Sequence, residues 1–247
     1  MILVLSGTKD GREIVYKLLK RNKKVLATTA TKYGGSLFKK SKNLKIISKR
    51  LNEKDMIDII INNNIKQLVD ATHPYAKEVS INAINASKKA SILYTRYERP
   101  KINYKGVEKL SSFKSAAKRI DEINDNILLT IGSNHLEKFK HLNKDKLYVR
   151  VLPTQGVVEK CVFLGFKPKK IIGLQGPFSK EFNKAIYKEY SIKYILTKDS
   201  GLIGGTKEKV QAAIDMGVKI LLIKRPKMNY ENIFYDKNEI INFLEKN

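Results

Sequence analysis

Cysteine occurs once in the 247 residues, as Cys161, so no internal disulfide can form, and a reducing compartment fits. Its setting, Glu159-Lys160-Cys161-Val162-Phe163, reads as a helix interior and suits a structural thiol better than a nucleophile. No run of about 18 apolar residues is present, so no membrane span is expected. The apolar opening Met1-Ile2-Leu3-Val4-Leu5 is too short for a secretory signal. It lacks a basic lead and a small-residue cleavage site, and reads as the first strand of a cytoplasmic protein. His73, His135 and His141 are the three histidines, in separate segments and without a cysteine partner, so no metal-ligand set is expected. There is no G-x-S-x-G elbow and no Walker loop, which disfavours nucleophilic and phosphoryl-transfer chemistry. The full G-x-G-x-x-G fingerprint is missing too; only Gly7 and Gly11 remain, with Thr8 between them.

Acidic residues are also scarce. Lys and Arg number 49 against 24 Asp and Glu, a formal charge of +25. Such a charge suits nucleic acid, or an acidic small molecule. The lysines are spread along the whole chain rather than gathered in one arm, and Asn, Ile and Lys are abundant together. That is the mark of a general compositional bias and counts against a nucleic-acid partner. Hydrophobic residues make up 42%, enough for a packed core, and the length is comfortable for two small domains.

What is present is an alternation of strands and helices. Residues 1–5 read as a strand, 6–11 as a glycine-bearing loop, 12–22 as a helix with Ile14, Val15, Leu18 and Leu19 on one face, and 24–28 as a second strand. This is the opening of a nucleotide-binding α/β unit, whose backbone amides at a helix start can hold a phosphate on Gly7 and Thr8. At the end of the second strand a NAD site offers an acid to the ribose. Here the chain runs Ala27-Thr28-Thr29-Ala30-Thr31-Lys32, with hydroxyls and a lysine instead, which favours NADPH. Further strands are expected at 44–48, 66–69, 91–95, 106–110, 126–130, 146–151, 169–174, 193–197 and 218–224, with helices between them and a last helix at 238–246. The polar run at 101–105 after Pro100 reads as a crossing between domains. The expected architecture is therefore α/β: two Rossmann-like domains with parallel sheets, 1–100 and 101–247, and an interdomain cleft. Every polar or glycine-rich signal follows a strand, where α/β sheets collect ligands.

The septet Asp70-Ala71-Thr72-His73-Pro74-Tyr75-Ala76 is the densest of these signals. One reading makes it a capped turn, with Thr72 as N-cap and Pro74 in the first helical turn. That leaves His73 and Tyr75 unexplained; the other reading makes it a working loop. Arg96 and Arg99, at the end of a strand, could receive a carboxylate or phosphate as forks, or pair with Glu98 and other acids. Gly132-Ser133 repeats the glycine-hydroxyl pattern at a helix start. Lys198-Asp199-Ser200-Gly201, followed by Gly204-Gly205, combines a cation, hydrogen-bonding groups and glycines that permit close approach.

These stretches, with Gly176-Pro177-Phe178-Ser179 and Lys224-Arg225-Pro226, resemble the precorrin-6A reductases of cobalamin (vitamin B12) biosynthesis, including the cobalt-precorrin-6A reductases, over nearly the whole length. The resemblance implies an oxidoreductase acting on CH-CH groups with NADPH or NADH. It would pass a hydride to the tetrapyrrole macrocycle precorrin-6A, which carries a rim of acetate and propionate groups, to give precorrin-6B. By chemistry, His73, Tyr75, Lys198 and Asp199 are the candidates for moving the proton that reduction also needs. Gly7, Thr8, Thr29, Ala71, Thr72, Gly132, Ser133, Ser200 and Gly201 are the candidates for holding the coenzyme. Arg96, Arg99, Arg150, Gln175 and Phe178 are the candidates for holding the substrate. The alternatives are a basic α/β nucleic-acid-binding module and another NAD(P)-dependent enzyme on the same scaffold.

Overall fold

The computed structural model describes residues 1–101, 104–201 and 205–247. Part of the expected crossing at 101–105, and Gly204 of the glycine pair, lie outside the described residues. The chain divides into two compact units, Met1–Pro100 with Pro226–Asn247, and Lys101–Arg225. Each is a six-stranded sheet in which every pairing is parallel. This is the expected α/β class. Among the described residues no helix is long and apolar enough to cross a membrane.

In the first unit the strands are β1 (Ile2–Leu5), β2 (Val25–Thr29), β3 (Leu44–Ser48), β4 (Gln67–Asp70), β5 (Leu93–Tyr97) and, from the far end of the chain, β12 (Ile233–Phe234). Their spatial order is β12-β5-β4-β1-β2-β3, the doubly wound 3-2-1-4-5-6 arrangement with β12 in the sixth place. The strands are buried on both faces, so alternate residues feed two cores. Ile2, Val4, Val25, Ala27 and Val69 face α1 (Lys9–Lys20) and α9 (Lys237–Lys246). Leu3, Leu5, Leu26 and Leu68 face α3 (Glu53–Asn62) and α4 (Lys77–Lys89). As expected, Asn52 caps α3, in a reciprocal capping box with Asp55. A five-residue helix, α2 (Lys32–Ser36), follows β2. Thr31 caps it by accepting from the Gly34 amide.

The second unit holds β6 (Val107–Leu110), β7 (Ile127–Leu129), β8 (Leu147–Val151), β9 (Ile171–Gly173), β10 (Tyr194–Lys198) and β11 (Lys219–Ile223). Read from one edge the order is β9-β8-β7-β10-β11-β6. This is the same winding, with the unit's first strand at the outer edge. Its helices are α5 (Phe113–Asp121), α6 (Gln155–Phe163), α7 (Lys180–Glu189) and α8 (Thr206–Asp215). Ser179 caps α7 through the Phe182 amide, as expected. Cys161 lies buried in α6, and burial raises its thiol pKa, as befits a structural residue. The expected helix start at Gly132-Ser133 is instead a 3-10 segment, Ser133–Phe139. Gly132 enters it at φ 73° and ψ 177°, a conformation nearly confined to glycine.

A second domain running to residue 247 is corrected by this division. After Pro226 the chain returns to the first unit. β12 pairs beside β5, with Ile233 opposite Arg96 and Phe234 opposite Tyr97. Helix α9 then sets Ile240, Ile241 and Leu244 into the core shared with α1. The return is therefore required for the first sheet to bury its face. Ile240→Ala should lower the stability of the chain by about 2–5 kcal/mol in urea denaturation.

Candidate active site

In each sheet the strand order reverses at one place, between β1 and β4 in the first unit and between β7 and β10 in the second. The expected polar loops follow these four strands. In the first unit Thr8 ties two of them together. Its hydroxyl donates to the Ala71 carbonyl (3.0 Å) and accepts from the Gly11 amide (3.0 Å), capping α1. Gly11 has a steric reason: a Cβ there would lie 2.6 Å from Ser6 Cα. Gly7 has none, since nothing lies within 4 Å of where its Cβ would be, so its exposed backbone borders open space at the start of α1. Thr29 is less available. Its buried hydroxyl is shared between the Thr31 carbonyl (3.0 Å) and Ser48 Oγ (3.2 Å).

The septet is organised by its first residue, which the sequence reading did not place in the site. Asp70 is fully buried and accepts five hydrogen bonds. Its Oδ1 takes the Thr72 amide (3.0 Å), the Thr72 hydroxyl (2.7 Å) and Arg96 Nη1 (2.7 Å). Its Oδ2 takes Ser80 Oγ (2.6 Å) and Tyr94 OH (2.9 Å). Burial opposes the charge, but Arg96, then Ser80 and Thr72, outweigh it and hold the carboxyl below its ordinary range. The capping role for Thr72 is corrected. Helix α4 has Ala76 as its N-cap, with no side-chain cap, and the Thr72 hydroxyl serves Asp70 and Arg96 instead. What the septet displays is His73 and Tyr75, half-buried, with rings 5.6 Å apart. The Tyr75 amide donates to His73 Nδ1 (3.3 Å), so the neutral imidazole carries its proton on Nε2.

Arg96 is corrected as a substrate fork, and Arg99 is paired through its Nε. All five N–H donors of a guanidinium are used within the protein at Arg96, by Asp70, Thr72 and Glu98. Burial opposes the Arg96 charge, but Asp70 and Glu98 prevail and hold its pKa above the usual value. Arg99 Nε lies 2.5 Å from Asp10 Oδ2, in the first turn of α1, and Lys237 lies 2.7 Å from Asp10 Oδ1. The sequence offered both readings of these arginines; at Arg96 burial decides for internal pairing, with Glu98 among the partners.

In the second unit Lys198 ends β10, half-buried, and desolvation lowers its pKa to about 8. It approaches His135 after β7, whose own pKa is lowered by burial and then by Lys198. His135 stacks on Phe113 at 3.9 Å. Asp199 serves as a strut: its Oδ1 takes Arg225 Nη2 (3.2 Å) and the Gly201 amide (3.3 Å), and its carbonyl takes Arg225 Nε (3.1 Å). Ser200 is half-buried and Gly201 buried, at φ 70°. Ser133 is half-buried and Gln175 exposed. Arg150 and Phe178 do come together, with the guanidinium 4.7 Å above the ring. Thus His73 and Tyr75 belong to one unit, and Lys198 and Asp199 to the other. Lys209 and Asn183 beside Arg150 were missed. The signal for Lys209 was a lysine on the stripe Thr206, Lys209, Val210, Ala213, which α8 buries.

The whole chain has known counterparts. A model of the family described as precorrin-6x reductase CbiJ/CobK matches residues 1–245. A cobalt-precorrin-6A reductase of Priestia megaterium is 38% identical over 250 residues, 99% of this chain and 98% of its own. The cobalt-precorrin-6A reductase of Methanocaldococcus jannaschii is 38% identical over 247 residues, 98% of this chain and 97% of its own. Among solved structures, that of the precorrin-6A reductase CobK matches with a TM-score of 0.81 at 19% identity, over 99% of this chain and 96% of that one, a likeness of fold.

Removing Asp70 strands Arg96 and three hydroxyl donors in the interior. Asp70→Ala should cost about 3–5 kcal/mol in chemical denaturation, the range for breaking a buried pair. The folded carboxyl is depressed, so its stabilisation is complete above the unfolded value near about 3.9 and fades as pH falls toward the folded value. The loss of wild-type stability below about pH 4 should be shallower in the variant.

Proposed function

The chain belongs to the precorrin-6x reductase family, and we propose that it reduces cobalt-precorrin-6A to cobalt-precorrin-6B in cobalamin biosynthesis with NADPH. The observation that carries this reading is the match of residues 1–245 to the family model. The cobalt-bearing substrate is favoured because both relatives at 38% identity are named for it. This membership favours neither the nucleic-acid-binding module nor an unrelated NAD(P) enzyme.

The residues present fit a nicotinamide coenzyme. Gly7 leaves space beside the first amides of the 12-residue α1, where a pyrophosphate would be held by backbone N–H groups. After β2 the exposed residues are Ala30, Thr31 and Lys32, with no carboxylate to repel a 2′-phosphate. When bound, the reduced nicotinamide supplies the hydride. The protein must supply a proton. His73 can give one from Nε2 in its protonated, imidazolium form. Lys198 can give one from Nζ, since burial brings its pKa to about 8, close to working pH. Asp199, committed to Arg225, positions Lys198 through the loop rather than moving a proton itself.

Two measurements test this. Titration with NADPH and NADH, followed by nicotinamide fluorescence, should show binding with NADPH tighter; binding of neither coenzyme would sink the reductase reading. In turnover of cobalt-precorrin-6A, loss of the proton donor should lower kcat by about 10²–10⁴-fold. A Lys198 donor works while charged, so the wild-type rate should fall above pH of about 8, and Lys198→Met should lack that limb. If His73→Asn instead shows the large loss and the limb survives in Lys198→Met, the donor is His73.

A further inference from the structure

The second unit contains a cavity of about 210 Å³ bordered by Arg150, Asn183, Lys209, Phe178 and the backbones of Gly176 and Gly205. Its two cations are buried, Arg150 9% and Lys209 7% exposed. Their hydrogen-bond partners are neutral. Arg150 donates to Asn183 Oδ1 (2.8 Å), and Lys209 Nζ donates to Thr197 Oγ1 (3.0 Å). Among the described residues no carboxylate pairs with either. The charges that Lys209 feels are Arg150 and Lys198, both of its own sign. Desolvation followed by these two brings its pKa to about 7, and burial lowers that of Arg150. Buried charges of one sign without a counter-charge are costly. The same chain neutralises its structural arginine, Arg96, with two carboxylates. The cations at this cavity are left unmatched.

We propose that this cavity is a subsite for one oxyanion, a carboxylate or a phosphate, held by Arg150 and Lys209. The proposal rests on the functional reading above for its source, which is either a carboxylate arm of the macrocycle or a phosphate of the coenzyme. The site is built for a small group. A carboxylate or phosphate displaces only a few waters, and the cavity has room for about seven at about 30 Å³ each. Arg150 is held over the Phe178 ring at 4.7 Å, a cation–π contact at the cavity wall. Glycine is needed on two sides. A Cβ on Gly176 would come within 2.9 Å of the Phe178 ring, and Gly205 sits at φ +65° with a Cβ 3.3 Å from Pro177. The anion supplies the charge that the protein withholds.

The test uses full-length wild type, Lys209→Met and Arg150→Met. Melting is followed with sodium phosphate or sodium acetate at constant ionic strength. At least one anion should raise the wild-type Tm, both variants should lose that shift, and ligand-free Lys209→Met should melt no lower than wild type. In turnover, Lys209→Met should raise one KM by about 10- to 100-fold, the range for a hydrogen bond to a charged group. A rise for cobalt-precorrin-6A with that for NADPH unchanged identifies a carboxylate arm. The reverse identifies a phosphate. Arg150→Met gives the same discrimination should Lys209→Met fail to fold. A wild-type Tm indifferent to both anions, with both KM values unchanged in the variants, would overturn the subsite. Absent turnover in the wild type would instead overturn the functional reading, leaving the melting experiment to decide the subsite.

Discussion

The ion pair between Asp70 and Arg96 is the interaction on which the first unit depends. It joins β4 to β5 at their carboxyl ends, beside the place where strand order reverses. A buried carboxylate and a buried guanidinium are each costly alone. Both become tolerable because every lone pair and every N–H finds a partner, including Ser80 from α4 and Glu98 beyond β5. The consequence reaches the chemistry. With Asp70 and Thr72 locked, the next residues of the loop are held in a fixed turn that displays His73 and Tyr75. Tyr230, from the returning segment, stacks on Tyr94 and lies 5.3 Å from Arg96, so the end of the chain closes over the same network.

The second unit repeats the winding and treats its charges differently. Its arginine at the end of β8, Arg150, is as buried as its lysine on α8, yet among the described residues their hydrogen-bond partners are an amide and a hydroxyl. The first unit pairs its buried arginines, Arg96 and Arg99, with its own acids; at this cavity of the second, Arg150 and Lys209 are left for an incoming anion. A chain with a large excess of lysine over acid makes this contrast easy to overlook, because most of its cations are on the surface, where they contribute little.

Much of the architecture was legible because its signals are local. Alternating apolar runs, glycine turns and caps such as Asn52 and Ser179 act within a few residues. The short strand β12 was not legible: two residues carry no periodicity, and only pairing with β5 makes them a strand. In the site, the loops were found, and the Arg96–Glu98 pair was among the readings offered, but most long-range partners were not. Thr72 looked like a cap and became a link between Asp70 and Arg96.

By itself the sequence determined the α/β class, the order of the elements, the family and the loops that bear polar chemistry, since each depends on neighbours in the chain. Tertiary structure alone decided which charges are structural and which are available. Arg96, Arg99 and Arg150 all lie within or just beyond the carboxyl end of a strand, and nothing beside them in sequence separates their roles. Burial places two against carboxylates brought from up to 89 positions away, and places the third at a cavity beside a lysine. That difference is one of solvation and distant charge, which residue order does not encode locally.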